Sequence, residues 1–233
     1  MKDLIKYLFV ASVLGLASCR QVELQPDTAN LGYEYFPLQT GLFWIYKVDT
    51  VEYSFSGDTT RGTFFRKVTV SDSFANPAGQ MRFVFKIEKS FDTLREYLPD
   101  STFLAYSNEN QAFLVENNRP LVKLIFPVKE NLTWNGDAYH PNKLGDGEVY
   151  QIKSLGKVRE IVPGLELPTL TVVHNMDSSC VGLIKRSERF AANVGLVEKE
   201  QTAISYKTNP LPCTGAIEQG KIRHFRLIRY GKN

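Results

Sequence analysis

Residues 81–88 read Met-Arg-Phe-Val-Phe-Lys-Ile-Glu, and their odd positions are all apolar while three of their four even positions are charged. Successive side chains of a β-strand point to opposite faces of the sheet, so this alternation gives one apolar face and one wet face. The stretch therefore predicts a β-strand that packs one side against a core.

Segments of the same kind lie on both sides of this strand. Residues 43–55 are rich in aromatic and β-branched side chains and end at the turn cluster Ser56-Gly57-Asp58. Further strand candidates are 63–70, 94–98, 102–106, 112–116, 121–128, 147–155, 169–174, 183–190, 194–206 and 222–230. No segment after the N-terminal region shows a helical repeat with a cap and a stop. The pattern predicts an all-β, antiparallel meander that forms a curled sheet, a barrel or a sandwich.

The N-terminal segment has the order of a secretory signal. Lys2 and Lys6 precede an apolar stretch from Tyr7 to Leu16, which is shorter than the ~20 residues that span a bilayer. The stretch closes with Leu16-Ala17-Ser18-Cys19. This segment resembles the signal peptides of bacterial lipoproteins, and the alternative is an ordinary secretory signal with an incidental cysteine. The resemblance implies cleavage between Ser18 and Cys19 and acylation of Cys19.

The lipoprotein resemblance divides the chain into a signal peptide at 1–18, a lipidated tether at 19–33 and an all-β domain at 34–233. In that family an acidic residue straight after the cysteine commonly retains the protein in the inner membrane. Because Arg20 occupies this position, we expect an outer-membrane lipoprotein that contacts the membrane through its N-terminal lipid. Whether the domain faces the periplasm or the cell surface is left open.

Three cysteines are present, and lipidation of Cys19 leaves Cys180 and Cys213 as a pair. The compartment outside the cytoplasm is oxidising, so we predict a Cys180–Cys213 disulfide between two turn-like segments. Metal ligation or a redox pair is the competing interpretation. It is disfavoured because the sequence has no Cys-x-x-Cys spacing.

The charge balance argues against a nucleic-acid partner. Loss of residues 1–18 removes Lys2, Lys6 and Asp3 and leaves 26 basic and 24 acidic side chains, without the strong excess typical of nucleic-acid binding. The last strand candidate is nevertheless basic, with Lys221, Arg223, Arg226, Arg229 and Lys232. We interpret it as a charged edge strand that resists aggregation. Contact with anionic lipid headgroups is the alternative.

The sequence offers little evidence of catalysis or cofactor binding. His140, His174 and His224 are far apart, and no Gly-x-Ser-x-Gly elbow, glycine-rich phosphate loop, Rossmann fingerprint or zinc spacing occurs. A loop with Asp137, Asp146 and Glu148 carries oxygen ligands but departs from the spacing of the EF-hand calcium loop. We therefore predict no catalytic residue, no cofactor and no metal site.

One strand candidate has an unusual face. If 194–206 is regular, Glu198 and Glu200 share a face with Leu196 and Ile204. Two acids on an apolar face could line a cavity or meet basic partners. We favour a β-bulge that switches faces within the strand.

The aromatic corners resemble those of a group of envelope lipoproteins. Residues 36–46 contain Phe-Pro-Leu, then Gly41 and Trp44-x-Tyr46, and a similar Phe-Pro corner precedes Trp134. With the Gly-Leu-Val at 195–197, these features resemble uncharacterised envelope lipoproteins of Gram-negative bacteria. The resemblance implies an antiparallel β domain and no established activity. Trp44 is predicted to be a core residue, the alternative being an exposed side chain that grips a ligand.

We therefore predict a lipid-anchored envelope protein with a non-enzymatic binding or interaction role at the membrane surface, whose partner is an apolar ligand or another envelope protein. The alternative is a carrier that holds an apolar ligand or lipid in a curled β-sheet, as in lipoprotein-carrier and lipocalin architectures. An envelope hydrolase is the third class. A large apolar cavity would favour the carrier, a filled core the interaction module, and a cleft of convergent polar groups the enzyme.

Overall fold

A computed structural model describes residues 31–92, 96–140, 147–209 and 213–233 of this protein. Strands dominate these ranges, and a short 3-10 turn at Tyr33–Tyr35 precedes them. The strands are β1 (Leu42–Tyr53), β2 (Thr59–Ala75), β3 (Met81–Ser90), β4 (Leu98–Ser107), β5 (Gln111–Glu116), β6 (Arg119–Ile125), β7 (Thr133–Asn135), β8 (Val149–Val162), β9 (Leu165–Ser178), β10 (Gly182–Ala191), β11 (Gly195–Tyr206) and β12 (Ile217–Lys232).

All twelve strands belong to one antiparallel sheet with the order β6-β5-β4-β3-β2-β1-β12-β11-β10-β9-β8-β7. Two six-strand meanders, β1–β6 and β7–β12, are joined where β1 pairs with β12. The two edges of the sheet approach each other, because Val122 N in β6 donates to Gly136 O just after β7 at 2.8 Å. The side chain of Trp134 adds a second bond from Nε1 to Val122 O at 2.9 Å. The sheet is therefore a nearly closed, barrel-shaped one, and the predicted all-β antiparallel class is confirmed.

The alternating stretch at 81–88 lies within β3 as predicted, and the buried Ile87 is one of its inward side chains. The strand candidate at 94–98 is wrong at 96 and 97 and meets a strand only at its last residue, because β4 begins at Leu98. The candidate at 121–128 ends too late, since β6 stops at Ile125. β7 has no sequence counterpart among the predicted strands.

Two of the bulges in the sheet affect which side chains point into the barrel. In β11, Glu198 pairs with Arg189 and Leu196 with Phe190, which leaves Val197 as the extra residue. This is the face switch that the sequence favoured for the strand. In β6, Val122 pairs with Phe113 and Leu124 with Ala112, so Lys123 is the extra residue.

The meander gives the barrel two ends. The near end carries residues 31–41 and the β2–β3 turn at 76–80, and the far end carries the β1–β2 turn at 54–58. The segment before β1 packs against the near end, where the rings of Tyr33 and Phe126 meet edge to face with centroids 4.6 Å apart.

β12 is an interior strand of the sheet, because it pairs with β1 on one side and with β11 on the other. The interpretation of its basic residues as a charged edge strand is therefore wrong. The alternation of side chains along β12 instead places these basic residues on two different faces of the sheet. Phe225 lines the interior of the barrel, so Arg223 shares the inner face, whereas Arg226 lies on the outer face and pairs with Asp49 at 2.6 Å.

Cys180 and Cys213 lie at disulfide distance at the far end, with Cα atoms 4.5 Å apart. This separation is within the range that a disulfide requires. Ser18 and Cys19, together with the predicted signal peptide and most of the tether, lie outside the described residues. Among the described residues, no helix is both long and apolar enough to cross a membrane.

Candidate ligand-binding cavity

A partly open apolar cavity of about 110 Å3 lies inside the barrel. Its walls come from both meanders and from the segment before β1. The apolar residues that line it are Phe36, Pro37, Trp44, Tyr46, Val68, Phe85, Ile87, Phe103, Leu114, Phe190, Gly195, Leu196 and Phe225. The charged residues at its boundary are Arg66, Glu116, Lys123, Glu188 and Lys199.

The aromatic wall is fixed by hydrogen bonds to the backbone after β10. Trp44 Nε1 donates to Val194 O at 2.6 Å, and Tyr46 Oη donates to Leu196 O at 2.8 Å. Burial raises the pKa of the Tyr46 phenol, which stays neutral. Because the polar atoms are satisfied by the backbone, the two rings are held in place by directional bonds as well as by packing. Trp44 is 5% exposed, so the predicted core position is confirmed, although its ring also lines the cavity.

Glu188 forms the centre of a charged cluster at the boundary of the cavity. The carboxylate is 2% exposed and lies 2.5 Å from Lys123 Nζ and 3.2 Å from Lys199 Nζ. Burial alone would raise the pKa of Glu188, but the two ammonium groups outweigh burial and hold it well below its ordinary value. The same pairing raises the pKa of Lys199 against the effect of burial. Glu188 and Lys199 are therefore both ionised inside the barrel.

His174 completes this cluster on the β9 side. Its Nε2 lies 3.5 Å from Glu188 Oε2, and its ring stacks on Tyr150 with centroids 3.8 Å apart. Burial lowers the pKa of His174 despite the nearby carboxylate, so the ring is neutral near pH 7. Burial also raises the pKa of Tyr150. A neutral imidazole packed on a neutral phenol therefore lies beside the carboxylate.

A polar cleft of about 230 Å3 lies on the other side of the cluster. It shares Glu116, Lys123, Glu188 and Lys199 with the apolar cavity. Farther out, Glu148 pairs with Arg186 at 3.0 Å and Arg119 pairs with Asp137 at 3.1 Å. The acids of the loop considered above for calcium are thus engaged by arginines, apart from Asp146, which lies outside the described residues.

A second group of possible metal ligands lies on the outer face of the barrel. Because Lys199 points inward to Glu188, its neighbours Glu198 and Glu200 point outward. Their oxygens lie with a ring nitrogen of His224 within 4.8 Å of one another. Glu198 is already paired with Arg189, and Glu200 lies 3.4 Å from Lys185. Glu198, Glu200 and His224 therefore belong to a row of ion pairs on the barrel surface.

Few of the site residues that the sequence predicted line the cavity. Cys180 and Cys213 do not line the cavity. Trp44 does line it, and the sequence had marked that residue. Lys123 and Glu188 were missed, because a single charged residue within a strand shows its inward orientation only once the register and the bulges are fixed.

No protein-family model and no curated protein matches the chain. Among solved structures, a Bacteroides fragilis protein described as exported and as having a YmcC-like fold aligns with a TM-score of 0.43 and 13% identity. A Parabacteroides distasonis protein described as a lipoprotein aligns with a TM-score of 0.38 and 14% identity. Each alignment covers 84% of this chain and 98% of the other chain.

Proposed function

We propose that this protein is a lipid-anchored protein of the bacterial cell envelope that binds a small apolar molecule inside its barrel and does not transform it. The observation that carries the proposal is the partly open cavity of about 110 Å3, which is lined by aromatic and aliphatic side chains. Ligand sites are typically concave and apolar with a few polar groups at defined positions. The Glu188 cluster supplies such groups at the boundary of the cavity.

The size of the cavity sets the size of the ligand's apolar part. An engineered protein cavity of about 150 Å3 stays dry and takes up benzene. The smaller volume here therefore suits a single ring or a short hydrocarbon chain. A membrane lipid with two long acyl chains would not fit without expansion of the barrel.

The anchor supports the envelope location and gives the barrel an orientation. Acylation of Cys19, implied by the lipoprotein-like signal, would attach lipid twelve residues before Leu31, where the described chain begins. Residues 31–41 pack against the near end of the barrel. The tether would then hold the near end toward the membrane and the far end away from it. We expect the outer membrane because Arg20 follows the cysteine.

Exposed apolar side chains at the far end favour a second candidate function, which is contact with another envelope protein. Phe55 in the β1–β2 turn and Phe91 after β3 are each 75% exposed, and Val181 between β9 and β10 is 57% exposed. Large exposed apolar residues are typical of interaction surfaces. Substitution of Phe55 by Ser would impair this function and leave binding in the cavity intact.

The enzyme class receives less support from the geometry. A general base must be able to take up a proton, whereas Glu188 is held as a carboxylate by two lysines at 2.5 and 3.2 Å. The absence of enzymatic activity stays a prediction.

A cavity-filling variant tests the proposal. We expect 1-octanol to bind the wild-type protein in isothermal titration calorimetry, and Val68→Phe to abolish this binding by filling the cavity. Val158→Phe makes the same change at an exposed position of β8 and should bind like the wild type. The proposal fails if neither octanol nor octanoate binds the wild type, or if binding survives in a folded Val68→Phe variant.

A further inference from the structure

A basic pocket of about 370 Å3 adjoins the apolar cavity toward the far end of the barrel. Four basic side chains line it, against a single acidic one, Asp100. The basic residues are Arg66, Lys89, Lys221 and Arg223. This excess of positive charge contrasts with the nearly balanced composition of the whole chain.

Arg66 and Phe225 belong to both spaces, because each lines the cavity and the basic pocket. The guanidinium of Arg66 lies 5.4 Å from the centroid of the Phe225 ring and 3.4 Å from Asp100 Oδ2. The two spaces are therefore contiguous at this arginine, with apolar surface on one side and positive charge on the other.

Arg66 is incompletely satisfied in the described structure. Its Nε is buried and has no hydrogen-bond partner among the described residues. Burial lowers its pKa, although the nearby carboxylates of Asp100 and Glu116 oppose the shift. An anion beside the guanidinium of Arg66 would make a charge-assisted contact with it, which is stronger than a hydrogen bond between neutral groups.

The other basic residues of the pocket would also attract an anion, at positions farther out than Arg66. Lys89 Nζ lies 4.4 Å from the ring centroid of Phe64 and 4.7 Å from that of Phe91. Arg223 lines the same pocket as Arg66, and its positive charge contributes to the lowered pKa of Arg66 after the larger effect of burial. An anion between the two arginines would relieve the repulsion between their charges.

We propose that the cavity and the basic pocket form one site for an anionic amphiphile, meaning a small apolar body that carries a carboxylate, phosphate or sulfate group. The apolar body occupies the aromatic cavity, and the acidic head contacts Arg66 within reach of Lys89 and Arg223. The ligand enters from the far end of the barrel, which is the end away from the proposed lipid anchor. Its apolar body enters first and its acidic head follows. This assignment rests on the proposed function and adds the charge of the ligand and its orientation.

Three eight-carbon ligands of different charge test the proposal. Octanoate, 1-octanol and octylamine present the same chain with an anionic, a neutral and a cationic head at pH 7. Titration calorimetry on the full chain should rank octanoate first, octanol second and octylamine last. Raising the salt concentration should weaken only the octanoate interaction, because partly exposed charge pairs are screened.

Two neutralising substitutions locate the head group. Arg223→Gln and Lys89→Gln should each weaken octanoate binding by about threefold to tenfold, the range for a partly exposed charged contact, and leave octanol binding unchanged. Arg229→Gln removes the same charge from the outer face of β12, beside Phe43, and serves as the matched control. It should leave all three ligands unaffected.

The outcomes separate this proposal from the broader one. If octanol or octylamine binds as tightly as octanoate, the anion assignment is wrong and the apolar cavity remains the site. If octanoate binds best but Arg229→Gln weakens it as much as Arg223→Gln does, the head group lies elsewhere and the proposed orientation is overturned. If none of the three ligands binds, the proposed function itself fails.

Discussion

Replacement of Glu188 by Gln should be strongly destabilising. The substitution keeps the size of the side chain but removes the only charge that compensates Lys123 directly in the described structure, where Lys123 is 4% exposed. Breaking a buried ion pair by removing one partner typically costs ~3–5 kcal/mol, because the other charge stays buried without compensation. Lys199 would lose a contact at 3.2 Å as well. We therefore expect a loss of about 3–5 kcal/mol in the free energy of unfolding.

Urea unfolding followed by tryptophan fluorescence measures this loss. Glu200→Gln is the matched control, since the carboxylate of Glu200 is 40% exposed and pairs with Lys185 on the outer face. An exposed pair of that kind contributes ~0–1 kcal/mol. The reasoning is refuted if the two variants lose similar amounts, or if Glu188→Gln loses less than about 1 kcal/mol.

A double variant guards against the possibility that Glu188→Gln fails to fold. Addition of Lys123→Met removes the charge left uncompensated and replaces the lysine with an apolar chain of similar length. Because well-packed apolar replacements of buried ion pairs are often neutral, the double variant should be more stable than Glu188→Gln alone. Equal stability of the two variants would show that the Lys123–Glu188 pair is energetically unimportant.

The pH dependence of the free energy of unfolding tests the Glu188 cluster independently. The pKa of Glu188 is lowered in the folded state, so its contribution is present above its ordinary value of 4.5 and is lost as the pH falls below it. The pKa of His174 is also lowered, so stability should begin to fall once the pH drops below 6.5. The pKa of Lys199 is raised, so its contribution is lost only as the pH rises above 10.5. The Glu188→Gln variant should lose less stability than the wild type on acidification below pH 4.5.

Three further predictions concern the core, the cysteine pair and the anchor. Trp44→Ala should cost ~3–5 kcal/mol in thermal unfolding, because it removes a large core ring, and an unchanged melting temperature with lost ligand binding would point to a purely recognitional role. Substituting Ser for both Cys180 and Cys213 should cost ~3–4 kcal/mol in the chain-entropy account of a 33-residue separation, and two free thiols in exported wild-type protein under non-reducing alkylation would contradict the pairing. Cys19→Ser should leave an unprocessed, non-acylated precursor, and an intact mass of the wild-type membrane protein without acyl chains would refute the lipoprotein interpretation.

The sequence was informative where periodicity is regular. The alternation at 81–88 predicted β3, and frequent turn signals predicted an antiparallel sheet. Strand β7 escaped detection because three residues, Thr133–Asn135, are too few to establish a period of two. Periodicity also cannot say that β12 lies beside β1, since this pairing joins segments that are far apart in the chain, and the basic strand was therefore misplaced at an edge.

The candidate site was much less predictable than the fold. An extra residue at Val197 reverses the faces of β11, and an extra residue at Lys123 turns a lysine into the barrel. A bulge is visible only against the register of the partner strand, which a single sequence does not supply. The corner with Trp44 was found because proline, glycine and aromatic residues mark it locally. The partnership of Lys123 with Glu188 joins residues 65 positions apart and leaves no local signal.

The pairing of β1 with β12 has a consequence for how the molecule folds. Nearly every other strand pairs with its neighbour in the chain, so most hairpins can form from local contacts alone. The β1–β12 pairing instead joins Leu42 to Lys232, and closing so long a loop carries a large entropy cost before any hydrogen bond is gained. During synthesis, β1 is made first and keeps one side unpaired until β12 has also been made. The chain is most vulnerable to aggregation and proteolysis in that interval, and the cavity, with Trp44 on β1 and Phe225 on β12, exists only after it.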